Sequence, residues 1–231
     1  AGGVYYPSDA HIDPGLYLSS IKKELNAMNV KILHEVMVES IEIDQGKVVS
    51  LRTKDNAWSA KNFVLSAGTF SSNLVKQIGL KLPLMGGKGY SVSMNEPIKK
   101  PLLPAILVEA RIASTPMEKI WRLGGTMTVT QNSVMINSKK LMAMKNNVKK
   151  YYPEYDTAWT RPLKPWVGLR PLSADGLPYI GSFKSCSNLI TATGHAMLGV
   201  SLAPITGYLV SKIISKEQID YDMKQLSPDR F

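Results

Sequence analysis

The chain has 231 residues, of which 44% are hydrophobic and 20% charged, a composition typical of a globular protein with a substantial core. Its formal net charge is +10, but the lysines occur as scattered pairs without interleaved aromatic residues, which argues against a nucleic-acid partner. The single cysteine, Cys186, excludes an internal disulfide, and the longest apolar stretch is too interrupted for a membrane-spanning helix.

The first third of the sequence predicts one helix followed by strands. Asp13 and Pro14 are the residue types of an N-cap and a first helical turn, and apolar residues recur at helical spacing from Leu16 to Met28. Strands are predicted over 31–33, 37–43, 47–53 and 63–66, with a hairpin turn at 44–46. A helix is predicted over 70–78.

From residue 83 the pattern becomes rich in alternating strands. Strands are predicted over 89–94, 105–108, 111–114, 119–123 and 127–131, and a helix over 138–151. Several strands with one covering helix predict an antiparallel sheet packed on one side. A strand over 189–192 and a helix over 198–215 follow, and the polar tail 217–231 is expected to pack loosely.

Two C-terminal segments point to function. Residues 166–181, WVGLRPLSADGLPYIG, hold Arg170 between Gly168 and Pro171, and residues 192–204, ATGHAMLGVSLAP, put small residues at the start of an apolar helix. These segments resemble the C-terminal signature of the FAD-dependent amino-acid oxidoreductases, which include D-amino acid dehydrogenase and glycine oxidase. The resemblance implies a mixed fold, α+β or α/β. Part of a glutathione-reductase-like FAD-binding domain would span 1–82 and 160–231, and an antiparallel-sheet substrate domain covered by helix would span 83–159.

The glycine fingerprint that holds an FAD pyrophosphate after a first strand does not occur in this sequence. The nearest candidate, the four residues 86–89, lacks the third glycine at the required spacing. The resemblance therefore implies the C-terminal part of a longer enzyme, without the N-terminal dinucleotide-binding motif. The alternative is a non-catalytic fragment that binds FAD weakly or not at all.

The activity implied by the resemblance is oxidative deamination of a D-amino acid, with hydride transfer from the substrate Cα to flavin N5. Arg170 would bind the substrate carboxylate through two parallel hydrogen bonds. The alternative for Arg170 is a structural pairing with Asp175. Glycine, sarcosine, imino acids and 2-hydroxy acids stay open as substrates, because the fold does not decide among them. Thr128 stands where the family usually has a glutamate, which also leaves the substrate preference open.

Backbone N–H groups at a helix start can stabilise the negative charge of a reduced flavin. By the resemblance, the residues that would border the FAD are Met37, Val38, Ala67, Gly68, Lys88, Gly89, Gly168, Gly194, Leu198, Gly199 and Val200. The alternative for Ala67 and Gly68 is a plain strand-to-helix turn. His195 and Tyr90 complete the catalytic candidates. His195 could instead hydrogen-bond within its turn, and Tyr90 could be a core aromatic residue.

The expected cofactor is non-covalent FAD, and no metal site is predicted. The expected partners are a small amino-acid substrate and an electron acceptor, either a quinone of the electron-transport chain or oxygen. The expected location is the cytoplasm. Peripheral contact with the cytoplasmic face of the membrane and formation of a dimer stay open. The resemblance implies the membrane contact, because related dehydrogenases pass electrons to a membrane electron acceptor.

Overall fold

The computed structural model describes residues 2–95, 97, 99–130, 134–154 and 164–231. Its helices are α1 (Pro14–Ala27), α2 (Ser71–Lys76), α3 (Ser138–Tyr151) and α4 (Gly199–Ser215). Its strands are β1 (Ser40–Asp44), β2 (Lys47–Arg52), β3 (Ala57–Trp58), β4 (Phe63–Leu65), β5 (Leu84–Asn95), β6 (Ala105–Leu107), β7 (Ile112–Pro116), β8 (Ile120–Thr130), β9 (Lys164–Ser173), β10 (Tyr179–Phe183) and β11 (Cys186–Thr193).

The strands form three sheets. Their orders are β1-β2-β3, β10-β11-β4 and β6-β7-β8-β5-β9. The mixed α and β architecture predicted from the sequence is therefore confirmed. In the described part of the chain, no helix combines the length and the apolar character that crossing a membrane requires.

The chain divides by its internal contacts into two compact units. The first unit comprises Ala1–Ile32, Gly89–Thr126 and Met135–Val167, and the second comprises Leu33–Lys88, Met127–Val134 and Gly168–Phe231. The sequence prediction grouped residues 1–32 with 160–231, whereas the internal contacts group them with the first unit. As a functional assignment, the predicted division into 1–82 with 160–231 and 83–159 stays a prediction.

The core of the first unit lies between its antiparallel strands and α3. Trp121 is fully buried, donates its indole N–H to Ser114 Oγ at 2.9 Å and packs edge-on against Tyr152. Met144 and Val148 are the buried residues of α3. The strands β6, β7 and β8 pair in antiparallel fashion, as the sequence predicted. Both α1 and α3 begin where predicted. The Asp13 carboxylate caps α1, and the side-chain carbonyl of Asn137 caps α3.

One predicted break in this sheet is wrong. The sequence predicted separate strands over 119–123 and 127–131, whereas β8 runs without interruption through Gly124 and Gly125 up to Thr130, and residue 131 lies outside the described residues. A Cβ on Gly125 would lie 3.0 Å from the Arg111 carbonyl oxygen. Glycine is therefore used here for close approach of two strands and not for a turn.

The core of the second unit joins the hairpin of β1 and β2 to the sheet of β10, β11 and β4. Val48, Phe63, Val75, Phe183 and Leu189 are among its buried residues. The hairpin prediction is confirmed, because Gln45 and Gly46 both have positive φ between the paired residues Asp44 and Lys47.

The strand predicted over 31–33 is wrong. The chain leaves α1 through Asn29, whose φ is +58°, and residues 31–39 carry no strand before β1 begins at Ser40. A short segment can form a strand only where a neighbouring strand offers a pairing edge, and residues 31–33 have no strand partner in the described chain. Conversely, β3, β9 and β10 were not predicted.

Candidate active site

Two glycine turns meet at one edge of a sheet in the second unit. Strands β4 and β11 are parallel, with Phe63 opposite Leu189 and Leu65 opposite Thr191, so both strands end at the same edge. The turn at Ala67 and Gly68 follows β4, and Gly194 follows β11. The Thr193 hydroxyl donates to the Gly68 carbonyl oxygen at 3.3 Å. In parallel sheets, ligands bind beyond this carboxyl edge.

The second of these turns also lies against the strand that carries Arg170. Leu172 of β9 forms a backbone bridge with His195, and the Ala196 N–H donates to the Pro171 carbonyl oxygen at 3.0 Å. Arg170 itself is half-buried in β9. The structure therefore brings the predicted carboxylate-binding strand and the predicted flavin-facing turn side by side within one unit.

Gly194 fits its position for two reasons. Its φ is +84°, and a Cβ at this residue would lie 3.1 Å from Cδ2 of Tyr179. The Tyr179 ring is fully buried, and its hydroxyl donates to the Pro83 carbonyl oxygen at 3.0 Å. Burial raises the pKa of Tyr179, so this hydroxyl remains a donor at neutral pH. The ring is thus a fixed support beneath the turn.

Helix α4 begins directly after this turn, and no side chain caps the N–H groups of its first turn among the described residues. Leu198 is the N-cap residue and provides no side-chain cap, and the first turn contains no acidic residue. The first N–H groups of a helix have no partner within the helix. Leu198 and Val200 are exposed, and Gly199 is half-buried. The backbone N–H groups here can therefore donate hydrogen bonds to an electron-rich group.

His195 connects the turn to the body of α4. Its Nε2 lies 2.9 Å from Oγ1 of Thr206, and burial lowers the pKa of the imidazole below its usual value. A lowered pKa keeps His195 neutral at pH 7, and Thr206 occupies one ring nitrogen. The alternative prediction was a hydrogen bond within the turn, but the observed partner lies in the helix.

Asp175 binds Arg230, whereas the sequence had suggested Arg170 as an alternative partner. Its Oδ1 and Oδ2 each accept a hydrogen bond of 2.8 Å from the Arg230 guanidinium. This ion pair, with help from the Leu177 N–H, lowers the pKa of Asp175 to about 2. Arg230 therefore holds the carboxylate that the alternative assigned to Arg170.

The remaining residues predicted to border the FAD lie before β1, in β5 and in β9. Met37 is 72% exposed, Val38 is half-buried, and both precede β1, whose neighbours are β2 and α2. Lys88 and Gly89 lie within β5, where the chain passes from the second unit to the first. Gly168 is half-buried in β9.

Tyr90 belongs to the core of the first unit. It is buried in β5 among the residues that surround Trp121, and the Lys140 ammonium lies 5.6 Å from its ring centroid. This position is the one that the core-aromatic alternative describes. A catalytic role for Tyr90 stays a prediction.

The residues around the two glycine turns are compatible with a bound FAD. A Cβ on Gly68 would have no atom within 4 Å, so a ligand could approach the backbone there. Ser71 is fully buried, and its hydroxyl has no hydrogen-bond partner among the described residues. Together with the uncapped start of α4, these features fit a group that accepts hydrogen bonds.

Three residues that support the site were missed in the sequence. Thr206 lies 11 residues from His195 in the sequence. Tyr179 and Arg230 lie 15 and 36 residues from Gly194, so no local pattern connects any of the three with the site. The available signals were Pro228 and Phe231 near the end of a tail that was expected to pack loosely. Of these two, Pro228 is buried and Phe231 is 65% exposed, so only Pro228 marks the docked part of the tail.

Comparisons with known proteins agree with this geometry. The D-amino acid dehydrogenase of Paramagnetospirillum magneticum (strain ATCC 700264 / AMB-1) is 29% identical over 100% of the chain and 54% of that protein. The D-amino acid dehydrogenase of Helicobacter pylori (strain ATCC 700392 / 26695) is 27% identical over 92% of the chain and 51% of that protein. The chain thus spans about half the length of the curated relatives that it matches.

Solved structures with a similar fold include a glycine oxidase and an L-proline dehydrogenase. Glycine oxidase from Geobacillus kaustophilus has a TM-score of 0.76 and 25% identity over 85% of this chain and 52% of that one. L-proline dehydrogenase from P. horikoshii has a TM-score of 0.82 at 18% identity, over 95% of this chain and 60% of that one, which supports the fold alone. The family model described as FAD dependent oxidoreductase (DAO) matches residues 1–213. With its paired glycine turns and the β9 strand beside them, the chain belongs to this family of FAD-dependent oxidoreductases.

Proposed function

We propose that this chain forms the substrate-binding and later flavin-binding parts of an enzyme that oxidises a D-amino acid at Cα. The observation that carries the proposal is the bridge between Leu172 and His195, which puts the Arg170 strand beside the Gly194 turn. The relatives named D-amino acid dehydrogenase, which match across the length of the chain, support this choice of substrate.

Arg170 binds and orients the substrate in this proposal. A guanidinium offers two parallel N–H donors to a carboxylate, which fixes both the position and the plane of the amino acid. Bound FAD would supply the acceptor for the two electrons of the substrate Cα–H bond. The uncapped N–H groups at the start of α4 stabilise the negative charge that develops beside them.

His195 holds the turn in this proposal and transfers no proton during the reaction. It is neutral at pH 7 because burial lowers its pKa, and its Nε2 is engaged by Thr206. We therefore expect no catalytic pKa of His195 in the pH profile of the reaction. Positioning and electrostatic stabilisation account for the chemistry that these residues contribute.

The test follows the visible spectrum of the full-length gene product without oxygen. D-amino acids, glycine, sarcosine and D-proline are added separately, and bleaching of the flavin is recorded. Loss of a bidentate charged contact predicts that Arg170→Ala raises the half-saturating substrate concentration by about 100-fold. The matched control is Arg52→Ala, because Arg52 is 58% exposed and pairs only with Glu42 on the hairpin surface in the described contacts. Flavin that stays oxidised with every amine, or bleaching that Arg170→Ala leaves unchanged, would contradict the proposal.

Glycine is the second candidate substrate, and the likeness to glycine oxidase favours it. The same titration separates the two, since a D-amino acid enzyme is bleached by D-alanine at concentrations where glycine has no effect. Bleaching by glycine and sarcosine alone would select the second candidate. Bleaching by a 2-hydroxy acid alone would exclude both.

For the electron acceptor, we propose a quinone at the cytoplasmic face of a membrane. The net charge of +10 supports an attraction to anionic lipid. Reoxidation of the bleached flavin by a soluble quinone should then be faster than by air-saturated buffer. Co-sedimentation with anionic vesicles, and none with neutral vesicles, is the expected result for the membrane contact. Faster reoxidation by oxygen would favour an oxidase.

A further inference from the structure

Arg230, the next-to-last residue of the sequence, occupies a site that holds its whole side chain. Its side chain is 9% exposed, and all five of its N–H groups donate hydrogen bonds. Two reach the Asp175 carboxylate, and the other three reach the carbonyl oxygens of Leu177, Pro178 and Ser227. A guanidinium with every donor used is fixed in one orientation.

The first group of these contacts holds the loop that follows Arg170. Strand β9 ends at Ser173, three residues after Arg170, and the loop to β10 contains Asp175, Leu177 and Pro178. Arg230 bonds to all three of these loop residues. Arg230 therefore fixes the loop that follows the strand carrying the proposed carboxylate ligand.

A stacking contact connects Arg230 to the Gly194 turn. The guanidinium carbon lies 3.8 Å from the centroid of the Tyr179 ring. The same ring lies against Gly194, where a Cβ would approach Cδ2 to 3.1 Å. Tyr179 is thus packed between Arg230 and the turn that leads into α4.

The rest of the tail anchors this arrangement. Asp229 accepts a hydrogen bond of 2.7 Å from the Lys184 N–H, and Pro228 is buried against Gly181. Residues 228–230 are therefore attached to β10 and to the residue that follows it. The expectation from sequence that the tail packs loosely is wrong for these residues.

We propose that Arg230 is a positioning residue, which holds the loop after Arg170 and the Gly194 turn in the one arrangement that binds flavin and substrate. The inference rests on the proposed function for the roles of Arg170 and Gly194. Its structural half, the coupling of the tail to the Gly194 turn, can be measured without substrate.

The first experiment measures amide hydrogen exchange in the full-length gene product with its bound flavin. Arg230→Ala should increase exchange in the loop 174–178 and in the turn 194–198 by about tenfold. Arg52→Ala, which removes the same charge from the exposed hairpin, should leave both segments unchanged. Faster exchange in the loop alone, with the turn protected as in the parent protein, would overturn the coupling.

The second experiment measures flavin reduction by substrate, expressed per bound flavin, so that loss of cofactor or of folded protein does not enter. We expect Arg230→Ala to raise the half-saturating substrate concentration about tenfold, because small misplacement of a binding group is costly. Added guanidinium at millimolar concentration should restore part of the loss, and Arg230→Lys should restore less than guanidinium because an ammonium cannot form the bidentate pair.

The outcomes separate the two proposals. If the parent protein is not bleached by any amino acid, the proposed function fails, while the exchange data still decide the coupling. If the parent protein is bleached and Arg230→Ala responds identically per bound flavin, Arg230 contributes only to folding and the positioning role is refuted.

Discussion

Gly194→Ala tests whether the turn beside β9 depends on glycine. The residue has a φ of +84°, which an L-residue adopts at a cost of about 1–2 kcal/mol. The new methyl group would also meet the Tyr179 ring, 3.1 Å from Cδ2. This ring cannot withdraw easily, because it is fully buried and its hydroxyl is bonded to Pro83. Overpacking of this kind costs about 1–3 kcal/mol, so we expect a total destabilisation of about 3 kcal/mol.

Gly79→Ala is the matched control for backbone strain. Gly79 lies in the same unit with a φ of +76°, and a Cβ there would have no atom within 4 Å. It should therefore show the conformational cost alone. The difference between the two variants, about 2 kcal/mol, is the cost of the contact with Tyr179.

Cys186 provides a local probe for this comparison. It is a buried residue of β11, the strand that ends one residue before Gly194, and it is the only cysteine of the sequence. Its alkylation, measured by mass spectrometry of its own peptide, reports opening of the second unit. At tenfold per 1.4 kcal/mol, Gly194→Ala should be labelled about 30-fold faster than Gly79→Ala.

Two results would refute this reasoning. Equal labelling of the two variants would mean that the Tyr179 ring yields without cost, and the close packing beneath the turn would then have no energetic importance. Labelling of Gly194→Ala at the rate of the parent protein would mean that the turn does not require its left-handed backbone.

Three further predictions concern single contacts. The pKa of Asp175 is lowered from 3.8 to about 2 by Arg230, so its contribution to stability is present above about pH 4 and is lost as the pH falls towards 2. Solvent screens the ion pair, because the Asp175 side chain is 32% exposed. We therefore expect Asp175→Asn to lower the free energy of unfolding by only about 1 kcal/mol at pH 7. In denaturant titrations this difference should vanish near pH 2. Ser114→Ala removes the acceptor of the buried Trp121 indole N–H and should cost about 1–3 kcal/mol in the same assay; an unchanged midpoint would contradict this. Asn137→Ala removes the cap of α3 and should cost about 1 kcal/mol, seen as faster amide exchange at its first turn, whereas Asn137→Asp should retain the protection.

The sequence alone determined the local elements whose signals are local. Asp13 accepts backbone N–H bonds at the start of α1, as its residue type predicts, and Gln45-Gly46 closes a hairpin between paired strands. The predicted helix over about 138–151 agrees with the observed bounds of α3. Caps, turns and helical periodicity depend on residues within about four positions of one another, so a single sequence contains them.

Strand pairing required the tertiary structure. Residues 31–33 were predicted as a strand but carry none, whereas the glycines at 124–125 were left between two predicted strands but lie inside β8. Strands are stabilised by partners that are remote in sequence, and the pattern of one segment does not report whether a partner edge is available.

The candidate site divides in the same way. The sequence determined which residues to consider, since Arg170, Gly194 and His195 lie in two short segments with a family resemblance. The tertiary structure decided which of them meet, through the parallel pairing of β4 with β11 and the bridge from Leu172 to His195. It also decided that Asp175 binds Arg230, 55 residues away, because only folding brings a guanidinium from the tail to that loop.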